Sequence, residues 1–291
     1  MTLGLTGNPE KDAIWRPVAD LVAHLRTVGV GFCLDVRLAD GLLARGLAAF
    51  DDACICPETE LGHRAGVVLS FGGDGTLLRT AHLLGSAGTP ILGVNIGRLG
   101  FLADIETQEL HEAVDHLVAG HYRIEARTVL EAHADLPLGR AWALNEFAVE
   151  RAGRAGLLAV RVHADGVPLN TFWGDGLLVA TPTGSTAYSL SVGGPLISPE
   201  AAVVVLAPVA PHSLTVRPIV LADTVLLELE VRARGDRYVV AADGESTFFE
   251  QDTRLTIKRG AHPVRLVKLP GQHFFATLRE KLMWGADVKA F

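Results

Sequence analysis

The chain has 291 residues, enough for two domains that each bury a core, and its 49% apolar and 20% charged residues are those of a packed globular protein. Glycine, at 31 residues, exceeds its ordinary share, but no Gly-X-Y period accompanies it and a collagen is excluded. A formal net charge of −7 excludes the basic field of a general nucleic-acid binder, and it sets a puzzle for any protein that handles phosphates.

Taken in chain order, Met1 to Glu10 carries neither a basic n-region nor a sustained apolar h-region, so secretion is not expected. Leu3 to Thr6 reads as a first strand, with a turn at Gly7-Asn8-Pro9. Ile14, Val18, Leu21, Val22 and Leu25 then recur at three and four, the spacing of an amphipathic helix. Cys33, Cys54 and Cys56 cannot all pair with one another, and no Cys or His cluster beside them completes a zinc spacing. Reduced thiols and a cytoplasmic protein are the expectation. Gly66 to Phe71 is a continuous apolar run of buried-strand type that stops at Gly72. Leu77, Leu78, Ala81 and Leu84 predict a helix after it, Pro90 to Val94 a further strand, and Leu110, Val114, Leu117 and Val118 a helix ending near Gly120.

Beyond about residue 120 the period changes to two, as in Arg123 to Glu131, Ala159 to His163 and Val225 to Arg232. Such segments between Gly, Pro and Asp turns predict antiparallel strands. The stretches 176–199 and 201–216 are uncharged or apolar, but Pro, Gly, Ser, Thr and His interrupt them, and neither reads as a membrane span. His273 to Trp284 is helical again, with Phe274, Phe275, Leu278 and Leu282 at matching spacing. The expected architecture is an α/β domain with a mainly parallel sheet over 1–119 and an all-β, sandwich-like domain over 120–269. A C-terminal helix over 270–291 returns to the first domain.

The strongest chemical signal is Gly72-Gly73-Asp74-Gly75-Thr76, between an apolar strand and a helix. Ligands bind at that end of a strand in an open α/β sheet. Adjacent glycines let backbone approach a phosphate, and amides at a helix start point at an anion. Asp74 is the anomaly in such a loop: it is either a base or indirect magnesium ligand, or a tight-turn residue capping the helix. Competing motifs are absent. There is no Gly-Lys pair for a Walker A loop, no complete Rossmann fingerprint, no Gly-x-Ser-x-Gly and no His-Glu-x-x-His. A second cluster runs from Gly174-Asp175-Gly176 through Thr181 to Ser191 and closes at Gly193-Gly194. Its six Ser and Thr hydroxyls and one phenol suit sugar hydroxyls, base edges and phosphates, or a simple Ser/Thr turn. Asn145-Glu146 interrupts an apolar strand, either as a surface or edge pair or as a pair that reads a ribose or an amide.

Together these residues resemble the NAD kinase family. Gly72 to Thr76, Gly93 to Leu102, Asn145-Glu146, Asp175-Gly176 with Thr181 to Tyr188, Pro211 to Leu214 with Arg217 to Val220, and Asp243-Gly244 occur in the family's order. The Thr181 to Tyr188 segment is the most specific, whereas the Gly-Gly-Asp-Gly loop is shared with phosphofructokinases and lipid kinases. The resemblance implies phosphoryl transfer from ATP or polyphosphate, with a divalent metal, Mg2+ foremost, to the 2′-hydroxyl of the adenosine ribose of NAD. It implies Asp74 as proton acceptor and a phosphate loop of Gly72, Gly73, Gly75 and Thr76. For NAD binding it implies Asp74, Gly75, Asn145, Glu146, Asp175, Thr183, Thr186, Ala187, Tyr188, Ser189, Leu190, Ser191, Ala210 and Asp243. Arg79 is the nearest cation for a phosphate, or else lies on a solvated helix face. Trp173 stands where some relatives carry a basic residue, leaving stacking or plain packing as its role. No metal ligands are assigned. The resemblance also implies a homodimer or homotetramer built through the β-rich domain, and nothing points to nucleic acid or membrane as partner. A lipid or sugar kinase with the same loop, or a non-catalytic dinucleotide sensor, are the alternatives.

Overall fold

The computed structural model describes residues 1–97, 100–103, 105–153, 158–233 and 237–283. The chain divides into two compact units, one of Met1–Ala126 with Val264–Phe291 and one of Arg127–Pro263. The expected cuts after 119 and 269 therefore move to 126 and 263.

The first unit begins with β1 (Thr2–Gly7), α1 (Trp15–Thr27), β2 (Gly31–Asp35), α2 (Val36–Ala44), β3 (Ile55–Cys56) and α3 (Leu61–Arg64). It continues through β4 (Val67–Gly72), α4 (Asp74–Leu84), β5 (Ile91–Asn95), β6 (Ile105–Glu106), α5 (Leu110–Ala119) and β7 (Arg123–Arg127). The second unit contains β8 (Leu130–Ala134), β9 (Trp142–Ala143), β10 (Glu146–Arg151), β11 (Leu158–Ala164), β12 (Val167–Gly174), β13 (Gly176–Ala180) and the single turn α6 (Tyr188–Ser191). It ends with β14 (Val203–Val209), β15 (Ile219–Ala222), β16 (Leu227–Ala233), β17 (Tyr238–Ala242), β18 (Glu245–Phe249) and β19 (Thr253–Arg259). The chain then returns to the first unit as β20 (Val264–Lys268) and α7 (Phe274–Leu282).

In the first unit the sheet order is β3-β2-β1-β4-β5-β20-β7, with β6 beside β5, and the pairs from β3 to β20 are parallel. Strand alternation separates its two faces. Val67, Leu69 and Phe71 of β4 join the core with residues of α1, α2 and α5, while Ser70 points the other way and shares a 2.8 Å hydrogen bond with Thr80 of α4. Gly4 of β1 is held small by α3, since a Cβ there would sit 2.9 Å from the Ala65 methyl. The order reverses between β1 and β4, which makes the carboxyl ends of those two strands the topological switch point where open α/β sheets bind ligands.

The period-2 run Arg123 to Glu131, expected as one segment of the β-rich domain, is broken between two sheets. Arg123–Arg127 is the outer strand of the first sheet, and Leu130–Ala134 pairs with β19 in the second unit. Period two reports strand geometry but not the sheet to which a strand belongs.

The second unit is a sandwich of two six-stranded sheets, ordered β15-β14-β13-β10-β17-β18 and β12-β11-β16-β19-β8-β9. Inward residues of both sheets, among them Phe147, Val149, Val160, Leu177, Leu229 and Tyr238, form one core. The opposite face of the first of these sheets carries a smaller cluster of Ala148, Leu178, Ala180, Val205, Ala207 and Ala241, packed by Tyr188, Val192 and Ile197. The segment after β13 thus covers a sheet face and is itself positioned by it.

In α7 the His273 Nδ1 accepts from the Ala276 N–H, and Leu278 is buried. The expected helix reached Trp284, which lies outside the described residues. Cys33, Cys54 and Cys56 are free thiols, and the Cys56 thiol is pushed up to about 12, first by burial and then by Cys33. No helix among the described residues is long and apolar enough to cross a membrane.

Candidate active site

In the first unit the loop after β4 enters α4 through Gly73, whose extended backbone (φ −125°) precedes the helical Asp74. Gly72 is required by its neighbour: a Cβ there would lie 2.1 Å from the Thr76 hydroxyl. Asp74 does not cap its own helix. Its Oδ2 accepts from the Phe101 N–H at 2.8 Å, and its Oδ1 accepts from the Leu102 and Ala103 N–H groups at 3.0 and 3.1 Å. The helix-cap alternative is thereby replaced by a clamp on a segment 27–29 residues away. That segment can come so close because residue 100 is glycine and because Gly93 leaves room, a Cβ on Gly93 meeting the Ala103 Cα at 2.7 Å. Within the Gly93 to Leu102 motif, Arg98 and Leu99 lie outside the described residues.

Beside this loop, at the switch point, a cleft of about 440 Å³ is lined by Asn8 to Lys11 after β1, by Gly73, Gly75 and Thr76, and by Arg37 and Arg79. The Lys11 ammonium is 3.8 Å from where a Cβ on Gly73 would be, so it faces the bare backbone of the loop. Arg79, on the same cleft, donates to Glu58 Oε1 and to the Gly7 carbonyl, each at 3.0 Å. Glu58 also pairs with Arg37. Lys11 and Arg37 escape a sequence reading because they lie on separate loops that only the sheet order brings to Gly73.

In the second unit, Asn145 and Glu146 lead into β10, an interior strand, and both are 8% exposed, so the surface and edge readings fail. Asp243 and Gly244 form the β17–β18 turn, with φ of 48° and 82°, the left-handed pair that a two-residue hairpin needs. The Asp243 carboxylate accepts from the N–H groups of Leu144, Asn145 and Glu146 at 2.8, 2.7 and 3.4 Å. Burial, and then the Asp243 charge, push the Glu146 carboxyl up to about 7. Glu146 Oε2 is buried without a hydrogen-bond partner among the described residues.

Thr181 to Ser191 folds over this pair. The Thr181 hydroxyl donates to the Leu144 carbonyl at 2.6 Å and accepts from the Gly184 N–H at 3.1 Å. Gly184 lies against the Asn145 backbone, where a Cβ would meet the carbonyl oxygen at 2.1 Å. Thr183 to Thr186 is a 3-10 turn closed by the Thr186 hydroxyl on the Thr183 carbonyl, and Ala187 leads into Tyr188–Ser191. Ser189 is buried, Leu190 is half-buried and Ser191 is exposed. Asp175 donates its N–H to the Val209 carbonyl, and Ala210, at φ 42°, packs its carbonyl against Gly174. Trp173 is 39% exposed, a flat apolar surface beside Asp175. The structure therefore gathers Asn145, Glu146, Thr183 and its neighbours, Tyr188 and Asp243 into one cluster, with Asp175 and Ala210 at the adjoining strand ends.

Residues 57–122 match the model of the ATP-NAD kinase N-terminal domain and residues 144–269 that of the ATP-NAD kinase C-terminal domain. An NAD kinase of Cytophaga hutchinsonii is 35% identical over 293 residues, covering 99% of this chain and all of that relative. The chain belongs to the NAD kinase family. An NAD kinase of Bacteroides fragilis is 46% identical over 227 residues, 77% of this chain and 78% of the relative. As a member of the family the chain is a phosphotransferase acting on NAD, which replaces the lipid-kinase, sugar-kinase and sensor alternatives. The fold is shared with a yeast NADH kinase complexed with NADH (TM-score 0.89, 22% identity, 100% of this chain and 90% of that one). It is also shared with an NAD kinase from Archaeoglobus fulgidus in complex with ATP (TM-score 0.77, 26% identity, 97% and 99%).

Proposed function

We propose that the enzyme transfers the terminal phosphoryl group of ATP, or of polyphosphate, to the 2′-hydroxyl of the adenosine ribose of NAD, with Asp74 taking the hydroxyl proton. The observation that carries this reading is the state of the Asp74 carboxylate. Oδ1 accepts two backbone N–H bonds and is saturated, whereas Oδ2 accepts one and keeps an acceptor site for a substrate hydroxyl. The new bond forms between the ribose 2′-oxygen and phosphorus, the bond from phosphorus to the leaving oxygen of the donor breaks, and the hydroxyl proton goes to Oδ2. Phosphoryl transfer has a loose transition state, so most of the rate comes from positioning and charge neutralisation. Of the Gly72 to Thr76 loop, Gly73, Gly75 and Thr76 line the cleft; the Thr76 amide is taken by the Gly73 carbonyl, which leaves the backbone of Gly73 and Gly75 to approach the donor phosphates, with Lys11, Arg37 and Arg79 as the cations on the same cleft.

Among the described residues no group of three or more His, Cys, Asp or Glu side chains is arranged to hold a metal ion. The divalent ion, Mg2+ by the resemblance, would neutralise phosphate charge when bound with the donor, and no step is routed through it. The second-unit cluster of Asn145, Glu146, Asp175, Thr183, Thr186 to Ser191, Ala210 and Asp243 takes the dinucleotide. Glu146 and Asn145 face its hydroxyls and amides, and Trp173 offers a ring for stacking. We also assign a homodimer or homotetramer built through the second unit, where the edge strands β15 and β18 of one sheet expose Val220 and Phe248.

Incubating the purified protein with NAD, Mg2+ and either ATP or polyphosphate, and following NADP, tests the reading and ranks the donors. NADP formed with neither donor overturns it. Sedimentation at assay concentration tests the oligomer, and a monomer overturns that part.

A further inference from the structure

We propose that Glu150 and Arg151, at the far end of β10, are positioning residues for NAD, Glu150 fixing the Tyr188 ring and Arg151 fixing the Asp175 carboxylate. This rests on the reading that Tyr188 and Asp175 contact the dinucleotide. Strand alternation puts Glu146, Ala148 and Glu150 on one face of β10, the face on which Tyr188 packs. The Tyr188 hydroxyl donates to Glu150 Oε1 at 2.6 Å, a short bond to a charged acceptor. Tyr188 begins a helical turn of only four residues, too short to hold its own geometry, so the ring takes its orientation from the sheet beneath it.

Arg151 grips Asp175 twice. Its N–H donates to the Asp175 carbonyl at 3.0 Å, and its Nε lies 2.7 Å from Asp175 Oδ1. With the Asp175 N–H on the Val209 carbonyl, both main-chain polar groups and the carboxylate of Asp175 are held. Two consecutive residues therefore orient two assigned NAD contacts that lie 38 and 24 positions further along the chain. The cluster also gathers several carboxylates. Pairing Asp175 with a guanidinium keeps one of them from repelling the dinucleotide phosphates unopposed.

Steady-state kinetics on the full chain test this, with NAD varied at saturating ATP and the converse. Glu150→Ala is expected to raise the KM for NAD about 10-fold while kcat and the KM for ATP stay within about twofold, and Glu150→Gln, which keeps an acceptor, to restore most of it. Tyr188→Phe removes the same bond from its other end, so Glu150→Ala and the Glu150→Ala/Tyr188→Phe pair are expected to show equal KM. Arg151→Ala is expected to raise the KM for NAD in the same selective way.

Multiplying effects in the double variant would overturn the Glu150 role, and a KM for NAD unchanged in Tyr188→Phe would overturn it even if Glu150→Ala failed to fold. An unchanged KM for NAD in Arg151→Ala would overturn that half. Tyr188→Ala and Asp175→Asn separate the two levels. If they raise the KM for NAD while Glu150 and Arg151 variants do not, only the positioning proposal falls; if they too leave it unchanged, the reading beneath it falls.

Discussion

A Cβ on Gly100 would lie 1.8 Å from Oδ1 of Asp74, so the carboxylate in the glycine loop and the bare backbone of residue 100 occupy complementary space. Asp74 and the 100–103 segment are one structural device: the segment aims the carboxylate, and the carboxylate ties down the segment.

Gly100→Ala is therefore expected to displace Asp74 by an ångström or more and to lower kcat by about 10²-fold, with the KM values for NAD and ATP little changed. Kinetics beside a thermal melt check this, and a variant with parental kcat would refute the aiming role.

Asp74→Asn keeps the size of the side chain but removes the base. The expected result is a kcat lower by about 10²–10⁴ with NAD binding retained, measured by turnover and by equilibrium titration of NAD. A fully active Asn variant would sink the assignment.

At Gly75 stability and donor affinity should move in opposite directions. Nothing lies within 4 Å of a Cβ built there, and the residue is in the first turn of α4. Gly75→Ala should raise stability by up to about 1 kcal/mol, as Ala does in helices. It should also raise the KM for ATP, because the added methyl meets the incoming phosphates.

Lys11→Ala is expected to lower kcat/KM for ATP by about 10–100-fold, the loss of one charge-assisted contact, with the KM for NAD unmoved. Equal loss on both substrates would indicate a structural role for Lys11 instead.

Glu146, pushed up to about 7 by burial and by Asp243, has a folded pKa above its ordinary value of 4.5. The folded state holds its proton more tightly than the unfolded chain. Its contribution to stability is present in full below about 4.5 and is lost as pH rises through about 7, a swing of at most about 3 kcal/mol. Glu146→Gln should flatten that part of a stability-versus-pH curve measured by urea unfolding.

What could be read from sequence was what is local. The Val67–Phe71 run, the glycines behind it and the Thr181 to Tyr188 motif each announce themselves within a few residues, because buried strands and tight turns limit neighbouring residue types. The partners of Asp74 could not be read, since they are backbone amides 27–29 positions away that carry no residue signature. Lys11 and Arg37 join the cleft only through strand order. Glu150 carries no signal of its own in the sequence, and only the packing of Tyr188 on that face of β10 makes it a partner. The short β2, β3 and α2 leave little trace in the sequence, because the stretch between Val28 and Arg64 has no periodic run long enough to stand out.

The insertion of β20 between β5 and β7 has a consequence for biosynthesis. Residues 127–263 form a compact unit of their own, yet the sheet that bears the Asp74 loop lacks an internal strand until residues 264–268 have left the ribosome. Until then the start of β5, around Ile91, presents an open edge on that side, since β6 covers only Val94 and Asn95. The sheet that bears the Asp74 loop is thus completed last, although most of its sequence is translated first, and a nascent chain stopped short of β20 would have the whole of residues 127–263 before it had a finished first sheet.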